Sequence, residues 1–143
     1  MPLSLPAQRV LTLESARLAL AAAEATAVQN AWKVVIAVVD AGGHMVGAIR
    51  LDGTQTSSVE TALGKARAAV AFKRPTRILE EMINGGRAAF ATVPGGPYAL
   101  LQGGLPIEIE GQVVGGIGVS GVKASDDEII AGAGVKALLA ALG

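Results

Sequence analysis

The sequence contains no cysteine, which excludes disulfides, thiolate metal sites and cysteine nucleophiles, and leaves the redox compartment unreadable from cysteine usage. Aromatic residues make up only 3% of the chain (one Trp, one Tyr and two Phe), too few for a base-stacking platform. Neither sign of charge dominates: 12 Lys and Arg balance 12 Asp and Glu, so there is no cationic field for a phosphate backbone. Nucleic acid is therefore not an expected partner. Histidine occurs once, at His44, with no acidic cluster around it in sequence, so no protein-held zinc or iron site is expected. Apolar stretches are broken by charge or glycine well short of the ~20 residues of a membrane helix. The N-terminal MPLSLPAQRV lacks a basic start followed by an apolar run. A cytoplasmic protein without a membrane partner is expected.

What the chain does have is small apolar side chains. Hydrophobic residues reach 51% over 143 residues, mainly through Ala, Val, Leu and Ile, with 19 Gly besides, which suits one domain over 1–143 with one closely packed core. Leu13, Ala16, Leu20, Ala23 and Ala27 recur at helical spacing behind Thr12 as N-cap and predict a helix to about Asn30. KVVIAVVD (33–40) and HMVGAIRL (44–51) flank Ala41-Gly42-Gly43 and predict an antiparallel hairpin. Ser57-x-x-Glu60 forms a capping box for a second helix, which must stop near Arg74 because Pro75 follows. A short helix is expected over Thr76 to Asn84, ended by Gly85-Gly86. Pro94, Gly95, Gly96 and Pro97 then block regular structure, with room for a short strand around Tyr98 to Leu101. LPIEIE (105–110), a turn at Gly111-Gln112 and VVGGIGVSG (113–121) make a second hairpin. A second capping box, Ser125-x-x-Glu128, opens a C-terminal helix carrying Ile130, Ala133, Ala137, Leu138 and Leu142 on one side. Two hairpins among helices predict an α/β domain of the α+β type: an antiparallel sheet with helices over one face or the ends.

Within the second hairpin, Gly116 to Gly121 spells G-x-G-x-x-G. A dinucleotide fingerprint needs a strand entering the glycines and a helix leaving within them, so that helix amides meet the pyrophosphate. Here the glycines lie inside a strand, and the next helix starts about five residues later. The expected meaning is a strand stripped of side chains, against which another backbone or a ligand lies close.

Read together, IAVVDAGGHMVGAIRLDG, KARAAVAF, NGGRAAF, GGLPIEIEGQVVGGIGVSG and DDEIIAGAGVKAL resemble the GlcG/HbpS family, which is related to the C-terminal domain of PduO-type proteins. The blocks Val38 to Asp52 and Gly103 to Gly121 carry most of the specificity. The resemblance implies a central antiparallel sheet of about five strands flanked by helices in a profilin-like layout, assembled into homo-oligomers. It also implies haem as a candidate ligand, held in some members by a histidine of the N-terminal helical region. That helix has no histidine here, which leaves His44, with Met45, Met82 and Tyr98 as alternative axial partners.

Candidate site residues follow from side-chain chemistry. His44, whose imidazole is suited to act as an acid or base, stands after the DAGG turn, where Asp40 is placed to hold it. Arg50 shares a strand side with Asp52, Ala48, Val46 and His44 by alternation, so His44 and Arg50 are expected to face one cavity, with Arg50 as carboxylate anchor or as a surface ion-pair partner. On the second helix Glu60 and Arg67 fall roughly 20° apart at the edge of the apolar stripe, whereas Lys65 lies on the other side and is expected in solvent. Gly95, Gly96 and Tyr98 are candidates for one wall of a ligand site. Ser120 lacks a nucleophile elbow and a sequence-adjacent base.

Three functions fit these residues. One is a small-ligand or haem-binding accessory protein using His44, Arg50, Arg67, Gly95, Gly96 and Tyr98. The second is a cofactor-independent isomerase, lyase or hydrolase of small carboxylates, with His44 and Glu60 moving protons. The third is a structural homo-oligomer built on tight Ala- and Gly-rich packing.

Overall fold

The computed structural model describes residues 1–93 and 95–143; Pro94 lies outside the described residues. The chain runs α1 (Leu13–Gln29), β1 (Val35–Asp40), β2 (Met45–Arg50), α2 (Ser57–Phe72), α3 (Thr76–Asn84), a short 3-10 turn (Ala88–Thr92), β3 (Gly104–Ile109), β4 (Gln112–Ser120) and α4 (Ala124–Ala141). All pairs in the sheet are antiparallel, in the order β2-β1-β4-β3. Among the described residues four strands form, not about five. The short strand expected at Tyr98 to Leu101 does not form: Tyr98 N–H turns back to the Gly96 carbonyl (2.8 Å), and the segment packs on α2 at Gly64 instead of on a sheet edge.

Helices cover both faces of the sheet rather than one. Ile36 and Val38 of β1 and Ile117 and Val119 of β4 point into a core shared with Leu20, Ala23, Ile130 and Leu138 of α1 and α4. Val35, Ala37 and Val39 point the other way, onto Ala62, Ala66 and Val70 of α2. The central β1, sandwiched between two helical layers, is accordingly apolar at every position up to Val39.

Helix starts differ from expectation in an instructive way. At α1, Ser15 N–H donates to Thr12 Oγ1 and Thr12 N–H to Ser15 Oγ, a reciprocal capping box that uses serine in place of glutamate. The two boxes read from Ser57 and Ser125 do not form, because both serines lie inside their helices. Backbone bonds close those first turns instead: Val59 N–H to the Thr56 carbonyl in α2, and both Asp126 and Asp127 N–H to the Lys123 carbonyl in α4. The β3–β4 turn is Glu110-Gly111, one residue earlier than expected, and its φ values of 50° and 79° suit a type I′ hairpin turn.

The G-x-G-x-x-G stretch lies within β4 and its exit. A Cβ on Gly116 would stand 2.7 Å from the Ala66 carbonyl oxygen, and one on Gly118 would overlap Ala62 O and reach within 2.5 Å of Ala66 N. The bare strand thus lets α2 lie backbone to backbone on the sheet. Gly132 has no such reason to stay a glycine. Gly132 in α4 has negative φ, and its nearest neighbour is Leu105 Cδ1 at 3.9 Å. Gly132→Ala is therefore expected to raise unfolding free energy by about 0.5–1 kcal/mol, read as a higher urea midpoint at unchanged m-value.

Lys65 corrects the sequence reading most sharply, being only 3% exposed. The chain returning through Gly103-Gly104 and the first turn of α4 wrap this flank of α2. There Lys65 Nζ donates to the Val119 carbonyl (2.8 Å) and to Asp127 Oδ2 (3.1 Å), while Asp127 Oδ1 accepts from Val122 N–H (3.2 Å).

Candidate functional site

The β1–β2 turn is built by its own first residue. Asp40 Oδ1 accepts from Gly42 N–H (2.9 Å) and His44 N–H (3.0 Å), and Gly43 takes φ 82°. Asp40 therefore holds the backbone of His44 and not its ring, and the imidazole stands exposed beside Gly42. From α2, Arg67 reaches the same turn and donates its Nε–H to the Gly43 carbonyl (3.0 Å). One guanidinium donor is thereby committed to structure, and the terminal nitrogens make no hydrogen bond among the described residues.

The third wall is the segment after Gly95. Tyr98 packs edge-on against Phe72 at the end of α2 (ring centroids 6.1 Å apart), and Phe72 in turn meets Phe90 (5.6 Å). A Cβ on Gly64 would stand 3.0 Å from Ala99 N, so glycine there allows the segment to settle onto α2. Two clefts result, one on each side of Arg67. The larger, about 460 Å³, lies between the turn bearing His44 and the helix end bearing Val70, Ala71 and Lys73. The smaller, about 240 Å³, lies between Glu60, Thr61 and Gly64 of α2 and the Gly96–Ala99 segment. Arg67, Pro97 and Tyr98 border both, so the two are neighbouring parts of one depression. A further cavity of about 310 Å³ between residues 9–12 and the end of α4 is lined mainly by apolar groups. The depression at Arg67 is the better candidate because several ionisable side chains converge on it.

The expected residues thus divide. His44, Arg67 and Tyr98 meet in the larger cleft, and Glu60 and Gly96 join Arg67 and Tyr98 in the smaller. Arg50 borders neither cleft, nor does Gly95, which is exposed with φ 59°. Arg50 stands at the far end of β2, about 20 Å of strand from His44 by the usual rise per residue. The alternation linking the two is broken, because Val38 pairs with Gly47 and Val39 with Met45, leaving Val46 as a bulge that packs into the α1–α4 core. Arg50 forms no ion pair among the described residues.

Sequence reasoning missed Lys73. It caps α2 in the left-handed region (φ 54°, ψ 42°) at the lip of the larger cleft, and it too has no ion-pair partner among the described residues. Its signal was Pro75: a helix forced to stop two residues later leaves Lys73 at the C-cap, where a cation is favoured by the helix dipole.

A family described as haem degrading protein HbpS-like matches residues 11–136. The chain is 39% identical over 111 residues to Protein GlcG of Escherichia coli strain K12, covering 78% of this chain and 81% of that protein. The crystal structure of a Streptomyces reticuli HbpS double mutant superposes with a TM-score of 0.84 at 32% identity, covering all of this chain and 97% of that one. The crystal structure of a PduOC–haem complex superposes with a TM-score of 0.83 at 28% identity, over 90% of this chain and 95% of that one.

Proposed function

Because the chain belongs to the HbpS-like family, we propose that it is a haem-class small-ligand-binding accessory protein whose site is the cleft between the DAGGH turn and the end of α2. The observation that carries this reading is the convergence of an exposed imidazole, His44, with two cations that have no ion-pair partner among the described residues, Arg67 and Lys73, beside an apolar surface of Val70, Ala71, Pro97 and Tyr98. Haem asks for these groups: a nitrogen ligand for iron, an apolar bed for the macrocycle and cations for its propionates. A cleft of about 460 Å³ also falls within the usual range for small-molecule sites. His44 would hold the iron in place of a histidine of α1, and Arg67 would present its terminal nitrogens as a carboxylate fork. The reading includes a cytoplasmic protein that assembles with its own copies. Leu13, Leu18, Leu139 and Leu142, left exposed on or beside α1 and α4, support that assembly.

The test is a haemin titration followed at the Soret band. Wild type is expected to saturate with a shifted band. His44→Ala should move that band to a different wavelength, and Arg67→Ala should weaken binding about tenfold to a hundredfold, the range for a lost charge-assisted hydrogen bond or two. No band change in wild type would overturn the haem reading. A band and affinity unchanged in His44→Ala would remove the histidine from the iron.

A further inference from the structure

The larger cleft does not end at Lys73. Ala41, Val70 and Lys73 form its far edge, and the same three residues form the near edge of another hollow of about 360 Å³. The opposite wall of that hollow comes from two pieces of chain distant in sequence: Pro6–Gln8 and the β3–β4 turn at Gly111–Val113. They are tied together by one side chain. Gln112 Nε2–H donates to the Ala7 carbonyl (2.9 Å), and Gln112 Oε1 accepts from Arg9 N–H (3.0 Å), so its amide pairs with the N-terminal backbone as a neighbouring strand would. An Arg9–Glu110 ion pair adds a second link between the segment and the turn. The segment before α1 is thereby strapped to the β3–β4 turn, and it faces Val70 and Lys73 across the hollow.

We propose that this hollow is a second ligand compartment, and that it receives a carboxylate-bearing arm of the molecule whose body occupies the first. This rests on the proposed function above. Lys73 stands at the junction with no ion-pair partner among the described residues and borders both spaces. Beyond it the hollow offers peptide groups and the Gln112 amide, but neither a charged side chain other than Lys73 nor an aromatic ring. An acidic arm of a few carbons matches that chemistry: its carboxylate meets the ammonium, and its methylenes lie on Val70 and Val113. The ligand class is thus an apolar planar body with at least one flexible carboxylate arm, and the strap formed by residues 6–9 supplies the wall that faces Lys73.

The experiment uses the full chain, ¹⁵N-labelled, with gallium protoporphyrin IX as a diamagnetic haem analogue, and follows the amides of Gly42, His44 and Ala71 in the first compartment and Gln8, Gly111 and Val113 in the second. Both sets are expected to shift with one saturation curve, and the second set should lose its shifts with the dimethyl ester of the same porphyrin. Gln112→Ala, which unties the strap, and Lys73→Gln, which removes the cation without touching the strap, should each weaken binding of the free acid about threefold to tenfold, the effect of one or two exposed hydrogen bonds or an ion pair. Shifts confined to the first set, or equal second-set shifts with acid and ester, would overturn the second compartment while the proposed function stands. Shifts confined to the second set and lost in the ester would sustain the compartment and overturn the first. Silence in both sets would overturn both.

Discussion

Gly118→Ala is expected to cost more than about 3 kcal/mol of unfolding free energy, beyond the usual range for one added methyl in a core. The reason is what the methyl meets. Most core overpacking is relieved by rotating a neighbouring side chain, but here the new carbon would overlap the carbonyl oxygen of Ala62 and crowd the amide of Ala66, both in the backbone of α2. Relief requires the whole helix to lift from β4, and lifting it uncovers Ala62, Ala66 and Val70 against Val35, Ala37 and Val39. Urea denaturation is the measurement, with Gly132→Ala as the reference for a glycine in open surroundings. A loss under about 1 kcal/mol for Gly118→Ala would mean that α2 does not ride as close to the strand as described.

Lys65→Met is expected to destabilise by about 3–5 kcal/mol, the range for removing one member of a buried pair. Methionine matches the length and apolar body of lysine but leaves the Val119 carbonyl without its side-chain donor and Asp127 without its cation. The effect should depend on pH, with a definite sign. Burial already pushes the Asp127 carboxyl above its ordinary value, with Lys65 opposing that rise. Without Lys65 it rises further, so the native state of the variant holds a proton that the unfolded chain releases. Stability from this group is then fullest below the unfolded carboxylate pKa, near ~4, and declines as pH rises toward the folded value. The gap between wild type and Lys65→Met should therefore be wider at pH 7 than at pH 4.5. A gap that does not change with pH would show that Asp127 does not feel the substitution.

Much of the architecture could be read before any coordinates. Local signals sufficed where one residue decides the geometry: Thr12 ahead of α1, Pro75 after α2, and Gly85 at the end of α3, whose bounds were expected at Thr76 and Asn84. The resemblance was similarly informative about the family, because it rests on blocks that sit in the two hairpins. What escaped was non-local. Nothing near Lys65 in sequence announces Asp127, sixty-two positions away, so a lysine off the apolar stripe reads as solvated. A bulge at Val46 is likewise invisible to period-2 counting, and one unpaired residue was enough to unlink Arg50 from His44. The residues lining the candidate depression were legible by type, since His44, Glu60, Arg67, Gly96 and Tyr98 all border it, but their grouping was not. Arg67, read as the border of a helix stripe, is the residue that joins both clefts, and only the folded position of the DAGGH turn gives it that place.

The walls of the depression are not equally entrenched. On one side stand α2 and the β1–β2 turn, the helix seated backbone to backbone on a glycine-bared strand and the turn held by the Arg67–Gly43 tie. On the other stands the Gly96–Ala99 segment, outside the sheet, resting on α2 at Gly64 and on the edge of Phe72. Substitutions at the glycines beneath the first wall register in the core, whereas those at the exposed residues of the second act first on the outline of the opening. If the depression holds a ligand as proposed, a scaffold of this kind can exchange that molecule by rewriting a few residues around Pro97 and Tyr98, keeping its cations and its histidine where they are.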